Sequence, residues 1–437
     1  MNIGRIRIMV LWLATITLAS AGRIPADEWP QWRGPNRDGV WSETGIIEKF
    51  SGETIPLRWR APISSGYSGP TVAGGRVYLT DRLAEPEQVE RVLCFDAETG
   101  RPIWTHSYDC PYVSVGYRAG PRASVTLDDG RAYALGTMGH LRCLDADSGK
   151  LLWKKEPGVD YRIRLPIWGI SSAPLVDGDR LIVQIGADEG ACIVALDKCT
   201  GEELWRALDD QASYSAPILI QQAGRPVLVC WTGENVVGLD PATGNVHWTY
   251  PFPPHKMVIN VPTPVVEGDR MFLSAFYDGA LMLRLDPDEL KVEKLWRRRG
   301  QSEIITDALH AMISTPYFQG DYVYGVDSYG QLRCLRADNG DRVWEDLTAT
   351  PKARWSNIHM VRNGRNVWMF NERGELIISR LSPDGFHEIS RAKLIEPTTV
   401  QLNQRDGVCW AHPAYAYRHV FARNDQELVC AGLAAEE

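Results

Sequence analysis

One short phrase returns again and again along this chain and constrains its fold more than any other feature. An apolar residue and an Asp lead into a small-residue turn ending in Thr-Gly or Ser-Gly, and a Trp closes the phrase a few residues later. It runs Phe95-Asp96-Ala97-Glu98-Thr99-Gly100 to Trp104, Leu144-Asp145 through Gly149 to Trp153, Leu196-Asp197 through Gly201 to Trp205, and Leu239-Asp240 through Gly244 to Trp248. Leu285-Asp286 reaches Trp296 with a small insertion, Leu335-Arg336 through Gly340 reaches Trp344, and Arg380 to Gly385 is a degenerate copy. The tryptophans are spaced by forty-odd to fifty-odd residues, the size of a propeller blade: four short strands and their turns.

The rest of each unit fits four strands. Strand A is a short apolar run such as Thr263-Pro264-Val265-Val266. A turn such as Gly74-Gly75, Asp129-Gly130 or Gly268-Asp269 follows, built from residues that tolerate the positive φ of a two-residue hairpin. Strand B is β-branched or aromatic, as in Val77-Tyr78-Leu79 and Leu181-Ile182-Val183. Strand C ends in the apolar-Asp step, and strand D carries the Trp. Helical periodicity is nearly absent. Eight copies of strand A begin near Ser68, Arg122, Ser172, Ser215, Pro262, Ser314, Ser356 and Ala411. The eighth unit stops after three strands near Cys430, while Leu57-Arg58-Trp59-Arg60 has the form of a strand D. Residues 57–62 are therefore expected to complete the last blade and close the ring. The predicted fold is all-β: an eight-bladed β-propeller of four-stranded antiparallel blades over residues 57–434, with seven blades as the alternative. Trp59, Trp104, Trp153, Trp205, Trp248, Trp296 and Trp344 form the structural set.

Two segments precede the ring. Residues 1–21 read as a signal peptide: Arg5 and Arg7, then an apolar run from Ile8 to Leu18, then Ala19-Ser20-Ala21 for cleavage. Export to the periplasm, the cell surface or the medium is the expectation, with no membrane span in the mature chain. Residues 22–56, carrying Trp29, Trp32 and Trp41, read as an extended strap packed on the propeller. The net charge of −8, without a basic run, argues against nucleic acid as a partner. Of the nine cysteines, Cys94, Cys143, Cys334 and Cys430 share one repeat position, which suits a small buried residue facing a neighbouring strand. Pairing of Cys192 with Cys199, or of Cys110 with some partner, stays open.

The Leu-Asp-Ala-x-Thr-Gly-x-x-x-Trp phrase resembles the tryptophan-docking repeat of quinoprotein (PQQ-like) propellers, and the resemblance spans roughly residues 50–434. The stretch Trp29-Pro30-Gln31-Trp32-Arg33-Gly34-Pro35 is similar to the opening of exported members of that group. The resemblance implies that each strand-D Trp packs between blades against a repeat Gly. It also leaves two branches open. One comprises alcohol and glucose dehydrogenases that hold PQQ with Ca²⁺ in the axial funnel, with a catalytic Asp and often a disulfide of adjacent cysteines. The other comprises non-enzymatic, BamB-like scaffolds of outer-membrane assembly.

This chain has no adjacent cysteines, no Asp/Asn-rich loop suited to Ca²⁺, and no metal-ligand spacing among its nine histidines. Asp96, Asp145, Asp197, Asp240 and Asp286 adjoin turns whose N–H groups they are expected to cap. No Walker, HExxH or nucleophile-elbow pattern occurs. The reading is an exported, non-catalytic scaffold with no cofactor, no metal and no catalytic residues, binding a cell-envelope protein or an extracellular ligand. The alternatives are a PQQ-dependent oxidoreductase and a carbohydrate- or polymer-binding propeller.

In such a ring the short A–B and C–D turns share one rim. The long D–A connections share the other, and long loops on one face are where a closed scaffold carries function. Residues just before strand A should surround the funnel mouth. Arg118, Arg122, Trp168, Tyr214, Asn260, His310, Trp355 and His412 are the candidate ligand-binding set, suited to an anion or a carbonyl. Tyr112, Tyr117, Tyr161 and Trp410 lie in the same loops. The competing role for all of them is to seal the channel and to bond loop backbones.

Overall fold

A computed structural model describes residues 27–435; the expected signal peptide lies outside them. The described chain forms eight four-stranded antiparallel sheets, and no helix forms among the described residues. The first blade is β2 (Thr71–Ala73), β3 (Arg76–Leu83), β4 (Val89–Asp96) and β5 (Pro102–Asp109). The last is β30 (Ala414–Ala416), β31 (His419–Arg423) and β32 (Glu427–Gly432), with β1 (Leu57–Pro62) on its outer edge. Trp59 pairs with Cys430 and Pro62 with Glu427, so the ring closes by joining the two ends of the chain in one sheet.

The repeat phrase explains how the blades hold together. Asp96 Oδ1 accepts from the Thr99 amide at 2.8 Å, Asp145 from Ser148 at 2.8 Å and Asp197 from Thr200 at 2.8 Å, which fixes the C–D turn. That turn presents a Gly at positive φ to the Trp of the preceding blade. A Cβ on Gly100 would stand 2.5 Å from the Trp59 ring, and one on Gly149 2.5 Å from Trp104. The indole N–H then donates into the same neighbouring turn: Trp59 to the Ala97 carbonyl at 3.0 Å, Trp153 to Lys198 at 3.1 Å, Trp296 to Ala337 at 2.8 Å. Large apolar area and a directed hydrogen bond act together at each joint.

Trp344 keeps the indole bond, to Ser382 O at 2.8 Å, but no Gly receives its ring, since Gly385 stands in open space. Trp248 departs further. Its turn of destination, Pro287-Asp288-Glu289-Leu290, has no Gly to receive the ring. Trp248 instead lies over Gly238 of its own blade and donates to Gln222 Oε1 at 2.9 Å. Gln222 Nε2 carries the link onward to the Lys291 carbonyl at 2.6 Å. One amide thus relays the joint that the indole makes elsewhere.

Cys94, Cys143 and Cys430 sit opposite Trp104, Trp153 and Trp59, and Cys334 opposite Trp344, each between an aromatic residue of strand B and the Trp of strand D. All nine cysteines are free thiols. Cys192 and Cys199 are not bonded, and Cys192 and Cys110 are buried. Strand A starts about three residues later than the expected positions, at Thr71, Leu175 and Val265 for example. The residues just before it stand closest to the axis, where no inner strand is available to pair with them.

Candidate functional site

The segment before β1 does more than strap the ring. Trp29 exchanges backbone hydrogen bonds with Val72 of blade one at 2.9 and 2.8 Å, and Pro30 O accepts from Leu127 N of blade two at 2.9 Å. The chain then turns across the axis. Arg37 is buried there, its Nη1 donating to the carbonyls of Pro217 at 3.0 Å and Ala173 at 3.3 Å, its Nη2 to Pro174. Gln31 Oε1 accepts from Arg37 Nε at 2.8 Å. The strand-A ends of neighbouring blades thus satisfy one guanidinium on the axis. The segment leaves along blade seven, where Trp41 N donates to Arg362 O at 2.8 Å and the Trp41 ring packs on Trp368 and Tyr415. Trp32 points inward, its indole N–H on Thr263 Oγ1 at 2.8 Å and its ring edge-on to His412 with centroids 4.6 Å apart. The A–B rim of the channel is therefore plugged.

Above Trp32 lies a cavity of about 140 Å³, walled largely by the segments that lead into strand A. Four of the eight expected residues line it: Arg122, Trp168, Tyr214 and His412. The other four do not. Arg118 is exposed and its Nε donates to Val115 O at 3.1 Å. Asn260 is buried, its Nδ2 donates to the Thr232 carbonyl at 2.9 Å and its backbone carbonyl accepts from Tyr214 N at 3.1 Å, while its Oδ1 has no partner among the described residues. His310 donates from Nδ1 to Phe276 O at 2.9 Å and accepts at Nε2 from Gly300 N at 3.0 Å. Trp355 stands one layer back, edge-on to Tyr117 at 6.0 Å. Tyr67, Ser124 and His359 line the cavity without having stood out in sequence; Tyr117, Trp410 and Trp32, the last expected only in the strap, line it too. The Tyr-Ser pair shortly before strand A, in Tyr67-Ser68 and again in Tyr214-Ser215, is the sequence signal that could have found Tyr67.

Arg122 holds the loop that carries Tyr117. It donates to the carbonyls of Gly116 and Tyr117 at 2.8 and 2.6 Å and of Gly120 at 2.8 Å. Its guanidinium lies 4.9 Å from the Tyr67 ring centre. Tyr117 is held at φ 52°, where side chains other than Gly are uncommon, and its ring meets Trp168 and Trp410.

The two lining histidines are neutral. Burial pushes His359 down to about 4 and His412 down to about 3, each lowered further by neighbouring positive charge. His359 Nε2 donates to Trp410 O at 2.9 Å, and Ser124 Oγ bonds His412 Nε2 at 2.7 Å. The unfolded chain takes up these protons near pH 6.5 and the folded chain does not. Stability therefore rises with pH across this window and is lost as the pH falls from 6.5 toward 3, on the order of 3 kcal/mol for each group. Urea midpoints measured between pH 7 and pH 4 should fall steeply for the native chain and much less steeply for a His359→Gln/His412→Gln variant.

A family model described as outer membrane protein assembly factor BamB matches residues 88–346. Among curated proteins, the chain is 29% identical to a 1-butanol dehydrogenase (quinone) of Thauera butanivorans over 34% of this chain and 25% of that one. It is 25% identical to outer membrane protein assembly factor BamB of Burkholderia pseudomallei over 49% of this chain and 52% of that one. A polyvinylalcohol dehydrogenase of Sphingopyxis is 23% identical over 76% of this chain and 61% of its own length. The chain thus spans between a quarter and three-fifths of these relatives. Among solved structures, BamB from Moraxella catarrhalis superposes with a TM-score of 0.57 at 16% identity, covering 87% of this chain and 99% of that one. Quinohemoprotein alcohol dehydrogenase ADHIIG of Pseudomonas putida HK5 gives 0.61 at 13%, covering 94% and 81%. At such identities the likeness concerns the fold.

The cavity does not fit PQQ with Ca²⁺. Its lining contains no carboxylate and no side-chain amide, whereas Ca²⁺ takes six to eight oxygen ligands. Among the described residues, no group of three or more His, Cys, Asp or Glu is placed to hold a metal ion. Its single cation, Arg122, spends both terminal nitrogens on loop carbonyls and Thr137 Oγ1, and a tricyclic tricarboxylate would need more than the one N–H that remains.

Proposed function

From the premise that this chain belongs to the family whose model is described as outer membrane protein assembly factor BamB, we propose that it is an exported, non-catalytic scaffold that grips a protein of the cell envelope with its D–A rim. The observation that carries the reading is the placement of exposed apolar side chains. Val159 (84% exposed), Ile304 (67%) and Val113 (63%) project from D–A connections, and Ile305, Val400 and Ile167 are exposed on the same connections. Other exposed apolar groups, Ile103, Leu152, Leu204, Val246 and Val343, lie on the outer strands, but the six most exposed among the described residues are all on the D–A side. Such groups around an aromatic centre have the make-up of an interface core. The opposite rim is occupied by the strap. Its A–B turns end in Gly and Asp, which offer little area to bury.

A photo-crosslinking residue at Ile304 should capture a defined envelope protein, and the same residue at Asp179, in the A–B turn of blade three, should not. Adding Ile305→Asp and Val159→Asp should abolish the adduct without changing the melting temperature. Capture from Asp179 with equal yield would sink the assignment of the face.

The second reading, a quinone oxidoreductase, is favoured by the match to 1-butanol dehydrogenase (quinone). Titration with PQQ and Ca²⁺, followed by quinone absorbance, should show no saturable binding. Stoichiometric uptake with alcohol-dependent dye reduction would replace the scaffold reading. Residues 1–21 are proposed as the removable export signal.

A further inference from the structure

The axial cavity carries an unbalanced charge and unspent donors, and neither serves the rim. Arg122 is its one cation, and no carboxylate lines the cavity. Four hydrogen bonds occupy the two terminal nitrogens of Arg122, to three loop carbonyls and to Thr137 Oγ1, and leave its Nε–H without a partner among the described residues. The Tyr214 hydroxyl accepts from Trp168 N at 3.2 Å, and its own proton has no acceptor among the described residues. The donors of the two histidines are already spent on backbone carbonyls.

The remaining wall is mostly rings. Trp168 and Tyr214 lie 5.2 Å apart at a 31° tilt, with Tyr117 edge-on to Trp168 at 5.7 Å. The cavity of about 140 Å³ is close to the ~150 Å³ that accommodates a single benzene ring, and it is too small for fused ring systems. A cation such as a quaternary ammonium would meet the charge of Arg122 with no carboxylate to offset it. A saccharide would find too few free polar partners for its hydroxyls.

We propose that this cavity is a binding site for a one-ring aromatic carboxylate. The carboxylate accepts from Arg122 Nε and from the Tyr214 hydroxyl, and the ring lies against Trp168. The site is independent of the rim interface, because its lining includes none of the exposed apolar residues.

The test is calorimetric titration of the full-length chain with sodium benzoate. Benzyl alcohol, which has the ring without the charge, and cyclohexanecarboxylate, which has the charge without the aromatic face, serve as controls. Benzoate should bind one to one, with each control at least about tenfold weaker. Arg122→Gln should weaken benzoate by about tenfold or more. Because Arg122 also holds the Tyr117 loop, Tyr214→Phe provides the second variant: it keeps the ring, removes one proton, and should weaken benzoate about fivefold while leaving benzyl alcohol unchanged. Absence of benzoate heat at millimolar concentration, equal affinity for benzyl alcohol, or undiminished binding by both variants would each overturn the proposal.

Discussion

Trp59→Ala should lower the unfolding free energy by about 3–5 kcal/mol, the range for deleting a large buried aromatic side chain. The residue is 9% exposed, its ring lies over Gly100, its N–H reaches Ala97 O at 3.0 Å, and it packs on Phe421 at 6.0 Å. It also sits on the one strand whose pairing closes the ring, so the loss falls on the joint between blade eight and blade one. Equilibrium urea unfolding measures it. Gly100→Ala supplies the matched change from the other side, since its Cβ would collide with the Trp59 ring at a backbone φ of 70°. Gly364→Ala, at φ 56° in open space, carries only the backbone part, about 1 kcal/mol. A Trp59→Ala midpoint close to that of Gly364→Ala would mean that closure contributes little to stability.

Arg37→Met should be as severe, about 3–5 kcal/mol, because a buried charged group is removed from carbonyls of two blades and from Gln31. Burial alone pushes the Arg37 guanidinium down to about 9, so the fold holds this cation against a strong desolvation penalty. The carbonyls of Ala173, Pro174 and Pro217 offset that penalty. Methionine keeps the length of the side chain but leaves the Ala173 and Pro217 carbonyls without a side-chain donor, while Pro174 O keeps the Thr126 hydroxyl at 2.6 Å. The variant should melt at lower temperature, and limited proteolysis should cut between residues 27 and 45 well before it cuts any blade. Equal protease resistance of variant and native chains would show that the plug is held by Trp29 and Trp41 alone.

The blades were legible in the sequence because each joint is written locally: Asp, turn, Gly and Trp lie within one phrase, and Leu57 to Arg60 carries the same form at the far end of the chain. Trp248 was misread as one more copy, since nothing near it announces that Gln222 will relay its bond. The plug was hidden for a different reason. Its contacts reach Val72, Leu127, Pro217, Thr263 and Arg362 in five different blades, so no local periodicity encodes them. Position before strand A correctly directs attention to the axis, but loop tilt decides which side chain enters it. Arg122, Trp168, Tyr214 and His412 turn in, while Asn260 and His310 turn to neighbouring backbone carbonyls. Tyr67 and His359 were missed because each reads as an ordinary residue beside an apolar run.

The segment that crosses the axis turns a tube into a cul-de-sac. Whatever enters must leave on the side away from Trp32, which forms the back wall. Such a chamber can store, sense or grip, but it cannot pass cargo from one side of the ring to the other. Its filling and emptying are governed by the same gate, so a change that speeds arrival by loosening that gate shortens the stay as well.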